Sequence, residues 1–197
     1  IRIYACGPTV YNYIHIGNSR PLCVFDTLRR YLEYRGYKVN FVQNFTDIDD
    51  KIIKKAIEEN SDYKTVSEKY IKEFWTDAKG LNFREATVHP KATENIDEII
   101  NIISTLIEKG YAYEAGGNIY FDTSKLEKYY VFNDFKEEDL AVGVREGVEE
   151  DSNKRNKADF VLWFTKSKFE DQELKWDSPW GVGYPGWHIE CSCISMK

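Results

Sequence analysis

The 197-residue sequence has no apolar run long enough to span a bilayer, no secretory signal, no internal repeat and no low-complexity tract. Cysteine is scarce: Cys6, Cys23, Cys191 and Cys193 are the only four, too few and too scattered for a disulfide framework. They read as reduced thiols of a cytoplasmic protein. A basic excess is also missing. The 27 Lys and Arg are outnumbered by 33 Asp and Glu, and the resulting net charge of −6 excludes a general nucleic-acid binder. Any RNA contact must run through local basic patches or through parts of the protein outside this chain. No Ser/His/Asp arrangement suggests a protein nucleophile.

Core material is abundant. With 42% hydrophobic and 15% aromatic residues, the chain can bury a real interior, which excludes a disordered segment. The opening Ile1–Cys6 alternates apolar and polar residues as a strand does and breaks at Gly7-Pro8-Thr9. Leu22, Phe25, Leu28 and Leu32 recur at helical spacing until Gly36, and residues 38–43 form a second strand. A strand–helix–strand order with so long a connection implies a parallel pair and a right-handed crossover. Helices are expected over 51–57, 63–79 and 93–109, a β-hairpin over 111–122, an exposed acidic connector at Glu146–Asp151 and a buried strand at Asp159–Phe164. The return at 176–191 is rich in Gly, Pro and Trp.

Three segments carry chemistry. In Gly7-Pro-Thr-Val-Tyr-Asn-Tyr-Ile-His15-Ile-Gly17-Asn18, the turn between strand and helix is where doubly wound sheets bind nucleotides, since a helix N-terminus offers free N–H groups and a favourable dipole. His15 is placed to donate to phosphate oxygens, and Gly17 lets a ligand approach the backbone. A loop histidine beside a helix-start glycine explains the same letters. Thr46-Asp47-Ile-Asp49-Asp50 offers a hydroxyl and acids for a substrate ammonium or a metal, or simply helix caps. In Gly186-Trp187-His188-Ile-Glu-Cys191-Ser-Cys193, Trp187 and His188 suit the wall of a small pocket, or of a structural loop packed on tryptophans. The two cysteines are candidate metal ligands, although Cys-x-Cys is not the usual zinc knuckle. Cys23 reads as a small hydrophobe within its helix.

Taken together and in this order, five stretches resemble cysteinyl-tRNA synthetases: Tyr4–Tyr11, His15–Asn18, Asn44–Ile53, Lys154–Asn156 with Asp159–Trp163, and Ser178–Gly181 with Pro185–Ser192. The resemblance implies an α/β fold, a Rossmann-type class I synthetase catalytic domain with a parallel sheet and an inserted α+β connective lobe. Residues 1–92 would be its first half, 93–175 the connective insertion and 176–197 the start of the second half. It implies activation of L-cysteine by ATP with Mg²⁺ and transfer to tRNA(Cys), by a monomer.

It further implies a zinc ion held by two cysteines, a histidine and a glutamate. Cys6 and Cys191 match the cysteines, and the other two ligands belong to a motif beyond Lys197, as do a lysine-rich loop assisting ATP and an anticodon-binding region. Residues 1–197 alone are therefore expected to be inactive. By the same correspondence Gly7, Thr9, His15, Gly17 and Asn18 face ATP, while Thr46, Trp187 and His188 line the cysteine pocket. Asn18 stands where the family usually has a second histidine, and Lys157 where it commonly has proline. Two other readings share many of these residues. One is a cysteine ligase that joins activated cysteine to an amino-sugar; the other is a non-catalytic zinc-binding paralogue.

Overall fold

A computed structural model describes residues 1–129, 131, 152–166 and 173–197. The expected acidic connector at 146–151 lies outside them. The chain divides into two compact units: residues 1–96, 169–174 and 190–197 form the first, and 97–168 with 175–189 the second.

In the first unit, β1 (Arg2–Ala5) pairs in parallel with β2 (Asn40–Gln43), from Arg2 opposite Asn40 to Ala5 opposite Gln43, with α1 (Ile16–Tyr34) as the crossover. Parallel bridges carry the arrangement further. Thr9 pairs with Thr46 beyond the end of β1, while Val88 and Lys91 pair with Val42 and Phe45 on the other side of β2. Phe25 and Leu32 of α1 pack on Ala5, Val39 and Phe41, with the Phe25 and Phe41 rings stacked 6.1 Å apart.

No α1 residue is fully buried, because the helix covers the sheet with one narrow stripe. This corrects two expectations. Cys23 and Leu28 both lie off that stripe and are exposed.

α2 (Asp50–Glu59) and α3 (Tyr63–Gly80) build the larger core of this unit. Ile52 and Ala56 meet Val66, Tyr70, Phe74 and Ala78, a run spaced four residues apart along one face of α3. Phe45 enters from the end of β2 and packs edge-on against Phe74 and Trp75. Burying side chains of this size contributes roughly 1.5–3 kcal/mol each. Both helices start on an aspartate cap: Asp49 Oδ1 accepts from Lys51 N–H, and Asp62 Oδ1 from Thr65 N–H.

The second unit is an antiparallel sheet in the order β3 (Ala112–Ala115), β4 (Asn118–Phe121), β5 (Phe160–Phe164), β6 (Tyr184–Pro185), with most of α4 (Ile96–Glu108). The hairpin closes through Gly116 and Gly117, both at positive φ, as a two-residue turn requires. Tyr120, Leu162 and Trp163 are fully buried. The Gly/Pro/Trp-rich return is less irregular than its composition suggests, since residues 187–196 form a helix, α5 (Trp187–Met196).

Candidate functional site

The chemistry-bearing residues of the first unit gather where β1 and β2 end. Beyond Ala5 the chain turns at Gly7 and runs back against residues 44–46. A side chain at Gly7 would put its Cβ 1.6 Å from the Asn44 carbonyl oxygen, so only glycine allows this approach. Asn44, fully buried, is the hub. Its Oδ1 accepts from Gly7 N–H and the Tyr4 hydroxyl, each at 2.9 Å, and its Nδ2 donates to Thr46 Oγ1 at 3.3 Å. Thr46 N–H donates to Pro8 O, and Val10 N–H to Thr46 O, which fixes Thr9 opposite Thr46. Thr46 is itself buried, its hydroxyl held by Asn44.

Cys6 follows β1 directly, and α5 brings Cys191 to it, with the two Sγ atoms 3.4 Å apart. The shared hydrogen bond splits their acidities. It draws the Cys191 thiol down to about 6, aided by the Tyr4 hydroxyl and opposed by burial, while Cys6 is pushed well up. Cys193, two residues on, is buried on another side of α5, because positions i and i+2 of a helix point apart. The Cys-x-Cys pair therefore does not act as one ligand set.

Beside Cys191 lies Glu190, 1% exposed, with no hydrogen-bond partner for either carboxyl oxygen among the described residues. Burial, with Cys191, Asp47 and Asp49 nearby, pushes its pKa well above the usual carboxylate range. Asp47 is buried too, accepting from Thr93 N–H at 3.0 Å and from its hydroxyl at 2.6 Å. Its partner is thus a threonine of its own unit, and Asp49 serves as the α2 cap.

At the start of α1, His15 and Asn18 cap the helix reciprocally. His15 Nδ1 accepts from Gly17 N–H, and Asn18 Oδ1 accepts from His15 N–H, both at 3.0 Å. An acceptor Nδ1 leaves the proton of a neutral His15 on Nε2. Gly17 admits the ring, since a Cβ there would lie 2.7 Å from His15 Cε1. His15, Gly17 and Asn18 are all exposed. The imidazole Nε2–H, the Asn18 amide N–H groups and the helix N-terminus are the hydrogen-bond donors this helix start offers.

Trp187 and His188 open α5 in the second unit, where both are exposed and His188 meets the Phe160 ring edge-on at 4.9 Å. Tyr4, Asn44 and Glu190 are the site residues that pattern reasoning missed. A signal existed for Glu190, which shares the buried face of α5 with Ile189, Cys193 and Ile194, a spacing of i, i+1, i+4 and i+5.

Among the described residues, no group of three or more His, Cys, Asp or Glu is placed to hold a metal. Two sulfurs fit half of a zinc site. Ligands at about 2.3 Å from a tetrahedral ion stand roughly 3.8 Å from each other, within a few tenths of an ångström of the observed 3.4 Å.

A parallel β–α–β unit with polar side chains at its strand ends and at the start of its crossover helix is the arrangement of doubly wound α/β domains. More narrowly, the chain belongs to the family described as "tRNA synthetases class I (C) catalytic domain", whose model matches residues 1–197. It is similar to the "Cysteine--tRNA ligase" of Clostridioides difficile (strain 630), 55% identical over 197 residues, covering 100% of this chain and 41% of that protein. The protein of the same name from Finegoldia magna is 54% identical over 196 residues, covering 99% of this chain and 42% of the relative. The chain thus spans about two fifths of the length of these relatives.

Proposed function

We propose that the protein carrying this chain activates L-cysteine with ATP and transfers it to tRNA(Cys). The observation that carries the reading is the pairing of Cys6 with Cys191 at the end of β1, tied through Gly7 and Asn44 to Thr46. The names of the two relatives support it.

Activation is attack of the cysteine carboxylate on the α-phosphate of ATP, with pyrophosphate leaving. Positioning and electrostatic stabilisation carry such a step, with Mg²⁺ on the phosphates. The α1 N-terminus holds phosphate, while His15 Nε2–H and the Asn18 amide donate to its oxygens as charge builds. Asn44 and Thr46 keep the turn at 7–9 in place beside the substrate. Cys6 and Cys191 would hold the zinc together with two ligands outside this chain. When bound, the ion supplies an open coordination position that favours a thiolate over a hydroxyl. That is how cysteine would be told from serine, since shape alone separates near-isosteres by about 1–3 kcal/mol. The second unit is read as the connective lobe of the class I domain.

The test is cysteine-dependent pyrophosphate exchange and tRNA(Cys) charging by the full-length protein. Exchange and charging with cysteine but not with serine is the expected result. Exchange without charging would favour the amino-sugar ligase, and the absence of both would refute the assignment.

A further inference from the structure

The motif Lys154-Arg155-Asn156 with Asp159 takes no part in the site above, yet it is held in unusual detail. Asp159, 1% exposed, accepts from the Tyr113 hydroxyl at 2.7 Å, from Thr123 N–H at 2.9 Å and from the Thr123 hydroxyl at 2.8 Å. It also accepts from Asn156 N–H at 3.0 Å and from Asn156 Nδ2 at 3.1 Å. The turn at 154–157 is thereby pinned to the sheet of the second unit.

What the turn presents is a cation. Arg155 N–H donates to the Tyr113 hydroxyl at 2.8 Å, and the guanidinium carbon lies 4.0 Å from the centroid of the same ring, whose stacking partner is Tyr120. The arginine side chain is nevertheless 61% exposed. Its ion pair with Asp122, Nη1 to Oδ2, spans 3.8 Å and joins an exposed guanidinium to a buried carboxylate. A guanidinium stacked by its face keeps its edge donors for a ligand, and their fork matches phosphate oxygens. Lys154 and Lys157 flank it, so three cations occur in four residues of a chain whose net charge is −6.

We propose that the 154–157 turn of the second unit is a phosphate contact for the RNA substrate, with Arg155 as the pre-positioned fork and Lys154 and Lys157 beside it. This rests on the tRNA-charging function proposed above. An RNA backbone fits better than a free anion, because three cations in four consecutive residues, Arg155 and Lys157 exposed and Lys154 half-buried, suit a row of phosphates.

The experiment uses the full-length enzyme and a tRNA(Cys) transcript. Arg155→Met keeps an apolar stem over Tyr113 and removes the fork; Lys157→Gln removes a flanking charge. Binding is measured across a salt series, alongside cysteine-dependent pyrophosphate exchange without tRNA and thermal melting. Arg155→Met is expected to weaken tRNA binding about tenfold, and each substitution to lower the slope of log Kd against log salt by about 1. Exchange and melting should stay at parent values, and Arg155→Lys should recover part of the affinity. Unchanged affinity and slope in the double variant would overturn the proposal. So would a parallel fall in melting temperature and exchange, which would make Arg155 a structural residue. A parent enzyme that neither charges nor binds tRNA would instead overturn the function on which the proposal rests, and is recognised before any variant is made.

Discussion

The Sγ atoms of Cys6 and Cys191 lie 3.4 Å apart across 185 residues of sequence. One follows the first strand and the other rides on the last helix, so the contact exists only when the first unit has closed on itself. Two thiols so close share one proton readily, and the second is correspondingly hard to remove.

Alkylation tests this sharing. In metal-free protein, Cys191 holds its thiolate above about 6 and loses it below, whereas an ordinary thiol near 8.5 is only a few per cent ionised at pH 7. Iodoacetamide modification of Cys191, followed by peptide mass spectrometry, should approach its plateau by about pH 7. Cys6→Ala should move that profile to higher pH. A profile indifferent to Cys6→Ala would show that the pair is not coupled.

Metal content tests the ligand assignment. Full-length protein should carry one zinc, lost or much weakened in Cys6→Ser and in Cys191→Ser. Cys23→Ser should retain it, since Cys23 is exposed on α1. Full zinc in both ligand variants would remove Cys6 and Cys191 from the site.

Gly7→Ala places a methyl group against the Asn44 carbonyl, which is backbone and cannot swing away. A loss of about 3 kcal/mol is expected, seen as a melting point lower by roughly 6–12 °C. A melting temperature within 2 °C of the parent, on the same scale, would mean that the turn relaxes freely.

Asp159 gives the second unit an acid sensitivity. Burial raises its pKa, but the bonds from Thr123, Tyr113 and Asn156 outweigh burial and hold the pKa below the ordinary value. Its stabilising contribution is therefore complete above the unfolded-state value near 3.9 and is lost as pH falls through the lower folded value. Asp159→Ala should cost roughly 2–5 kcal/mol at neutral pH, and its denaturant midpoint should respond less to acid than the parent's does. Equal acid responses would assign the sensitivity to other carboxyl groups.

Asn18 separates two uses of the helix cap. Its Oδ1 is taken by His15 N–H, so only the amide nitrogen remains for phosphate. If that donor acts mainly as the transition state forms, Asn18→Ala lowers kcat more than it raises the KM for ATP. A pure KM effect would place its role in ground-state binding.

The sequence made the first strand, crossover helix and second strand readable because alternation and a 3.6-residue spacing meet clear stop signals at Gly7 and Gly36. Helices close to α2 and α3 were readable too, as patterns over 51–57 and 63–79, though not the core they form together. Exposure was harder. Leu28 and Cys23 are apolar letters on a helix that covers a sheet with a single stripe, and nothing local marks how wide that stripe will be. α5 was hidden by its neighbours, since glycines and prolines upstream suggested a loop where a helix begins at Trp187. The role of Asn44 depends on its bond with Gly7, a long-range pairing that leaves no trace in spacing, and the spacing that marks Glu190 as buried does not reveal the charges of Asp47 and Asp49 near it.

The distance in sequence between Cys6 and Cys191 also sets an order of events during synthesis. At about 5–20 residues per second, Cys6 is made roughly 10–40 s before Cys191. Through that interval the nascent chain carries an exposed thiol at the end of its first strand without the helix that will face it. A ribosome-bound protein truncated before α5 should therefore carry a Cys6 that alkylates faster than in the finished protein, where Cys6 stays exposed but its ionisation is opposed by Cys191.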